Sequence, residues 1–301
     1  MTQLAPSRVR LRTSEWMLLG FFAYIALLIP LFPDRPNLGF APLQRLVFVA
    51  LLLAGLALAE TGRYALSIGM IRDWAPMALI LIAFREMELF VPVHYNARYQ
   101  AAWIRWDQVV LGHWGLAQAV ESLGPVIPCY LELCYLLVYG VGTFCVLMLW
   151  LENGRRGVDR FYVILLTGTL VAYALFPYFP SEPPRLAFPN VCPPHAYNIF
   201  RKLNLYLLAK ASIHSGVFPS AHVSSAFAAA WAMFLVLPKR KMIAWLLLFY
   251  ACSVALATVY GRYHYTADAV AGFAVSLLAG ALCLVLRRQP ALVAATSEVS
   301  G

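Results

Sequence analysis

Two histidines, an arginine and an aspartate stand in three short polar segments between strongly apolar runs: Pro-Ser-Glu-Pro-Pro-Arg at 180–185, Pro-Ser-Ala-His at 219–222 and His-Tyr-Thr-Ala-Asp at 264–268. Ionisable groups are costly to keep beside hydrocarbon, so their presence there marks a working site. His264 and Asp268 are four residues apart, which puts both on one face of a helix. A carboxylate so placed accepts the imidazole Nδ1–H, fixes the tautomer and leaves Nε2 free to attack phosphorus. Ser220 suits the cap of a helix whose first-turn N–H groups bind an anion, with His222 in reach as general acid for a leaving oxygen. Arg185, stiffened by two preceding prolines, suits bidentate contact with phosphoryl oxygens, and Arg262 is a second candidate clamp. Taken singly, these residues also read as helix caps, an interfacial histidine or topology-setting arginines. Together they hold a nucleophile, an acid, an orienting carboxylate and phosphate-binding groups, which points to phosphoryl chemistry on a lipid.

The elements that must position them are membrane helices. The chain is 62% hydrophobic and 12% charged, the latter roughly half the usual share of a soluble domain. A soluble protein of 301 residues cannot hide so much apolar surface in one core. The net charge of +9 sits in short clusters between apolar runs, which fits topology and anionic lipid rather than nucleic acid. The six cysteines show no metal-binding spacing. Five fall in or beside apolar runs, and Cys192 lies in a polar connection, with Cys129 the candidate partner for a bridge. The basic start leads into an apolar run with no cleavage pattern, so the first span is read as uncleaved.

Eight runs are long enough to cross a bilayer: 16–32, 43–59, 74–91, 125–151, 161–179, 219–237, 242–260 and 266–286. The expected fold is therefore all-α, with about eight transmembrane helices. Basic clusters at Arg8/Arg10/Arg12, Arg63/Arg72, Arg155/Arg156/Arg160, Lys239/Arg240/Lys241 and Arg287/Arg288 all fall on one side of such a bundle. Short basic loops stay cytoplasmic, so both termini are expected inside and all three polar segments outside. Residues 1–12 and 289–301 read as disordered tails. The long connections 93–124 and 180–218 are external, the first with the aromatic and basic mixture of an interfacial segment. Arg85, Glu86 and Glu88, with His94, are candidates for a polar headgroup pocket, although Arg85 and Glu88 also suit a structural bridge. His113, His195 and His214 read as solvated.

Ser220-Ala221-His222 and the run from His264 to Gly272 resemble the second and third signature motifs of the type-2 phosphatidic acid phosphatase superfamily. The segment 180–185 resembles the first motif as written in its inositol phosphorylceramide synthase-like branch. The resemblance covers roughly 75–287 and implies a six-helix catalytic core, with 1–74 adding an N-terminus and two spans, and 288–301 a cytoplasmic tail. It implies His264 as the phosphohistidine-forming nucleophile, Asp268 as its partner and His222 as acid, then base. Arg185 and Ser220 would hold phosphoryl oxygens, and no metal or cofactor is needed. Hydrolytic members carry a lysine seven residues before the first-motif arginine and an arginine six before the nucleophile; here these positions are Tyr178 and Thr258. Tyr178 therefore joins the headgroup-pocket candidates, and Arg262 is a possible substitute cation.

With fewer cations, the pocket suits a singly charged phosphodiester better than a dianionic monoester. The expectation is a metal-independent lipid phosphotransferase or phosphatase, leaning to headgroup transfer from a phosphodiester lipid. The alternative is a hydrolase of phosphatidic acid or polyprenyl (pyro)phosphate. Its partners would be membrane lipids with a water or hydroxyl acceptor, and its place the plasma membrane. A serine protease using Ser220 would leave Asp268 and Arg185 without roles, and a transporter would carry its charges near the midplane.

Overall fold

The computed structural model describes residues 9–35, 38–92, 95, 97–190, 194, 197–214 and 218–299, with side chains beyond 287 and that of Ala97 excepted. In chain order the helices are α1 (Thr13–Leu27), α2 (Ala41–Ala59), α3 (Ala65–Glu86), α4 (Ala97–Asp107), α5 (Leu116–Ser122), α6 (Val126–Leu137), α7 (Val141–Asn153), α8 (Val158–Leu175), α9 (Pro184–Ala187), α10 (Ile199–Ala211), α11 (Ala221–Val236), α12 (Lys241–Tyr260) and α13 (Thr266–Val299). A 3₁₀ turn at Val138–Gly140 joins α6 to α7 into one crossing, Val126–Asn153.

The expected all-α membrane fold is present, and no strand occurs among the described residues. Among the described residues, seven helices are long and apolar enough to cross a membrane. The remaining expected crossing, 219–237, is the 16-residue α11, shorter than the ~20 residues a lipid-facing span needs. Its position explains its length. Ala228, Ala229, Ala230, Ala232 and Met233 are wholly buried, so α11 is the central stave, walled by α8, α12 and α13. Small side chains let the neighbouring backbones close in. A Cβ on Gly168 of α8 would lie 2.7 Å from the Ala228 Cβ, and Ser224 Oγ donates to the Gly168 carbonyl at 2.8 Å.

Residues 1–8 and 300–301 of the expected tails lie outside the described residues, and the described parts differ from expectation. Arg12 is tied into the fold through Asp73 at 2.7 Å, and α13 continues as helix to Val299, its Ala-Leu-Val-Ala-Ala run being helix-favouring. Several of the basic clusters read as topology signals form an ion-pair network at one end of the bundle. Arg72 pairs with Glu15 and Glu60, Arg155 with Asp73 at 2.5 Å and Arg240 with Glu152 at 2.8 Å. At the opposite end, the C-termini of α8 and α12 and the N-termini of α11 and α13 bring the three polar segments together. That end is roofed by α4, α5 and α10. The Trp103 ring stacks on Phe218 at 4.9 Å and lies 5.7 Å from Tyr265.

Candidate active site

Helix ends fix the two histidines. After α12 the chain reverses through Gly261-Arg262-Tyr263-His264, and the amides of Tyr263 and His264 both donate to the Thr258 carbonyl at 3.0 Å. Arg262 takes the left-handed conformation, φ 63°, which costs a non-glycine residue roughly 1 kcal/mol. α13 then starts at Thr266 with its free N–H groups met by carboxylates. Asp268 Oδ2 accepts from Tyr265 N at 3.0 Å, and Asp107 Oδ1, from the end of α4, accepts from Thr266 N at 2.7 Å.

The same Asp268 oxygen lies 3.3 Å from His264 Nδ1. His264 Nε2 therefore points away from its carboxylate, and it lies 3.2 Å from His222 Nδ1. His222 is in the first turn of α11, whose cap Ser220 accepts from Val223 N at 3.4 Å. The two helix starts are joined directly, because Ser220 N donates to the Asp268 carbonyl at 2.9 Å. Gly272 permits that approach: a Cβ there would sit 2.4 Å from the Ser220 carbonyl oxygen.

A cavity of about 450 Å³ opens at the histidine pair. Its polar head is lined by His222, His264, Arg185, Tyr135, Tyr139 and Tyr263, and its apolar wall by residues such as Met77, Ile80 and Phe84 of α3 and Leu165 and Tyr173 of α8. Arg185 has no carboxylate partner among the described residues. Burial pulls its guanidinium below the ordinary arginine range, an effect partly offset by the surrounding phenols of Tyr135, Tyr263 and Tyr139. It is the one Lys or Arg among the described lining residues. A partly desolvated cation that lines the same cavity as two imidazoles suits an anion, and an imidazole whose Nδ1 faces a carboxylate has the chemistry to attack through Nε2.

His264, His222, Asp268 and Arg185 thus come together. Ser220 is fully buried at the helix cap and is not a lining residue; Ser225 lines the cavity instead. Arg262 does not line it either. Its Nη2 donates to the carbonyls of Pro184 at 3.4 Å and Phe188 at 3.3 Å, and its guanidinium lies over the Phe188 ring at 4.1 Å. The left-handed backbone turns the side chain behind the Arg185 segment, where it braces the wall instead of gripping phosphate. The headgroup-pocket candidates disperse in the same way. Arg85 donates to the carbonyls of Ala211 and Ser212 at 3.1 and 3.3 Å, Glu88 accepts from the His214 amide at 2.8 Å, and Glu86 pairs with Arg45 at 2.8 Å. Arg85 and Glu88 clamp the cavity rim at 211–214 rather than its interior, and they reach it separately instead of pairing with each other, while Glu86 holds Arg45. Tyr178 is half-exposed and bonds Tyr24 at 3.3 Å. Cys192, His94 and His195 lie outside the described residues; His214 is exposed beside Glu88.

Three supports escaped the sequence reading. Tyr135 and Tyr139 flank the His222 ring, each at 5.2 Å; their i, i+4 spacing was an available signal. Glu132, a lone carboxylate in an apolar run, accepts from Arg201 at 2.7 Å, Asn204 at 2.9 Å and Tyr263 at 2.5 Å. It ties α10 and the 261–264 turn to α6. Asp107 is wholly buried, and burial pushes its carboxyl up to about 6, against the opposing pull of the Thr266 hydrogen bonds.

The chain matches the PAP2 superfamily over residues 101–282, more than half its length and the whole of the three polar segments. No curated protein and no solved structure matches it. On that match, and with the all-α membrane architecture, the chain belongs to the PAP2 superfamily, and membership supports an enzyme activity of the lipid phosphatase or phosphotransferase type.

Proposed function

We propose that the protein transfers the phosphoryl-linked headgroup of a phosphodiester lipid, through a covalent intermediate on His264. His264 Nε2 attacks phosphorus while His222 protonates the departing oxygen. A hydroxyl or water then attacks the phosphohistidine, His222 takes its proton, and the P–N bond breaks. Asp268 holds the His264 tautomer and stabilises its charge, and Arg185 binds the non-bridging oxygens. The catalytic unit is 75–287, the first two spans being an addition packed onto it. The basic end of the bundle is cytoplasmic and the histidine end faces the outer side of the plasma membrane.

The observation that carries this reading is the one guanidinium at the cavity head among the described residues, with Tyr178 and Thr258 in place of two family cations and Arg262 turned to the Pro184 and Phe188 carbonyls. One fixed positive charge matches a monoanionic diester better than a dianionic monoester. The apolar wall that descends from the histidines suits the lipid chain. The test is turnover by purified protein on phosphatidylinositol, phosphatidic acid and polyprenyl phosphate, with and without ceramide or diacylglycerol. The expected result is phosphodiester turnover that rises with acceptor, is inhibited by vanadate and is lost in His264→Ala. Turnover of phosphatidic acid with none of any phosphodiester would remove the transferase preference. Activity that survives in His264→Ala would remove the mechanism.

A further inference from the structure

At the end of the bundle opposite the histidines, a basin of about 1080 Å³ lies between the α7–α8 turn and the α11–α12 turn. Six basic side chains line it (Arg12, Arg155, Arg156, Arg160, Lys239 and Arg240) against three carboxylates, Asp73, Glu152 and Asp159. The carboxylates are already engaged. Asp73 takes Arg12 and Arg155, Glu152 takes Arg240, and Asp159 accepts from the Ser14 amide at 3.0 Å and hydroxyl at 2.6 Å. Arg156, Arg160 and Lys239 have no carboxylate partner among the described residues, and all three are exposed. The basin is preformed. Gly154 and Gly157 take left-handed conformations, as does Arg155 at φ 73°, and a Cβ on Gly157 would already touch Val236 at 3.3 Å. Its floor is apolar, formed by Val158, Leu235, Val236 and Leu237.

We infer that this basin is a second anion site, one that binds the phosphate of an anionic phospholipid headgroup from the leaflet at that end. Three unpaired cations over an apolar floor, at the level where helices end, fit a headgroup whose chains run down the bundle side. The site is distinct from the histidine cavity. Val236 is fourteen residues along α11 from His222, about 21 Å at helical rise. It therefore stands whether or not the histidine chemistry does. A soluble phosphate shares the same chemistry, and the test separates the two.

The experiment measures thermal midpoints of the full-length His264→Ala protein, which removes turnover, in phosphatidylcholine nanodiscs with and without about a quarter phosphatidylglycerol. Parallel samples in pure phosphatidylcholine receive inorganic phosphate. Phosphatidylglycerol should raise the midpoint by at least about 3 °C, as ligand binding to the native state does. Arg156→Gln/Arg160→Gln/Lys239→Gln should lose that shift, while Lys202→Gln/Lys210→Gln at the other end keeps it. If the triple variant folds poorly, Arg156→Gln/Lys239→Gln should lose more than half of the shift. A phosphate-only shift that the triple variant abolishes would support the site but overturn its lipid source. Equal midpoints in every condition, or a shift that survives in the triple variant, would overturn the site itself.

Discussion

Gly272→Ala is the sharpest perturbation of the junction that holds the histidines. The added methyl would lie 2.4 Å from the Ser220 carbonyl oxygen and 3.2 Å from both the Ser220 carbonyl carbon and the Val223 Cβ. The first contact falls roughly 0.6 Å short of the 3.0 Å below which real Cβ atoms essentially never come. Because the clashing atom is backbone, no rotamer change relieves it, and α13 must move away from the start of α11. Overpacking of this kind costs about 1–3 kcal/mol, and stretching the 2.9 Å Ser220–Asp268 hydrogen bond adds about 1. Separating those helix starts also separates His222 from His264, and misplacement by ~1 Å costs about 100-fold in rate. The control is Gly280→Ala on the same helix, whose Cβ would meet only the Trp231 ring at 3.7 Å. It should keep full activity and gain up to about 1 kcal/mol from helix propensity. Thermal midpoint and initial rate on the preferred lipid, measured side by side, decide the matter. A Gly272→Ala protein as stable and as active as the parent would show that the α11–α13 junction does not depend on this glycine.

Other substitutions probe the supports separately. Asp107 titrates near 6 in the fold against 3.8 in a free chain, so the folded state holds more protons between those values. Stability should therefore fall as pH rises from about 4 to 6, by up to about 3 kcal/mol. Asp107→Asn, which keeps an acceptor for Thr266 N, should flatten that part of the midpoint-versus-pH curve; an unchanged slope would contradict the assignment. Arg262→Ala should destabilise the 261–264 turn, and Arg262→Gly should be about 1 kcal/mol more stable than the alanine variant, since glycine bears the 63° φ without strain. The reverse order in unfolding midpoints would count against a strained brace. Glu132→Gln leaves Arg201 facing a neutral group and should cost about 3–5 kcal/mol. Adding Arg201→Gln should recover part of that loss in a double-mutant comparison, and simple additivity would show the pair uncoupled.

Much of the site was legible because its chemistry is written in residue types that membranes tolerate poorly. His222, His264, Asp268 and Arg185 stand out against apolar runs, and parity of the crossings placed them at one end. The fold class followed from composition and run length alone. What could not be read was direction. Arg262 is two residues from His264, yet a left-handed backbone turns it behind the wall, and no pattern of types encodes that sign of φ. The clamp formed by Arg85, Glu86 and Glu88 depends on where 211–214 and Arg45 arrive, which local sequence does not specify. Asp107 was hidden for the same reason, since it caps a helix 159 residues away. The shortness of α11 reflects burial on all sides, a property of its neighbours rather than of its own composition. Glu132, by contrast, is readable, for a single carboxylate in an apolar crossing is a signal in its own right.

The proposed chemistry requires a covalent bond between phosphorus and His264 Nε2. Its most direct test is rapid acid-free quenching of the enzyme during turnover of phosphorus-labelled phosphatidylinositol, followed by mapping of the labelled peptide. The expected product is an acid-labile, base-stable adduct on the peptide containing His264, absent from His264→Ala and accumulating in His222→Ala if breakdown of the intermediate is slowed more than its formation. Turnover with no labelled protein at any quench time, or label on the same peptide after His264 is replaced, would contradict it.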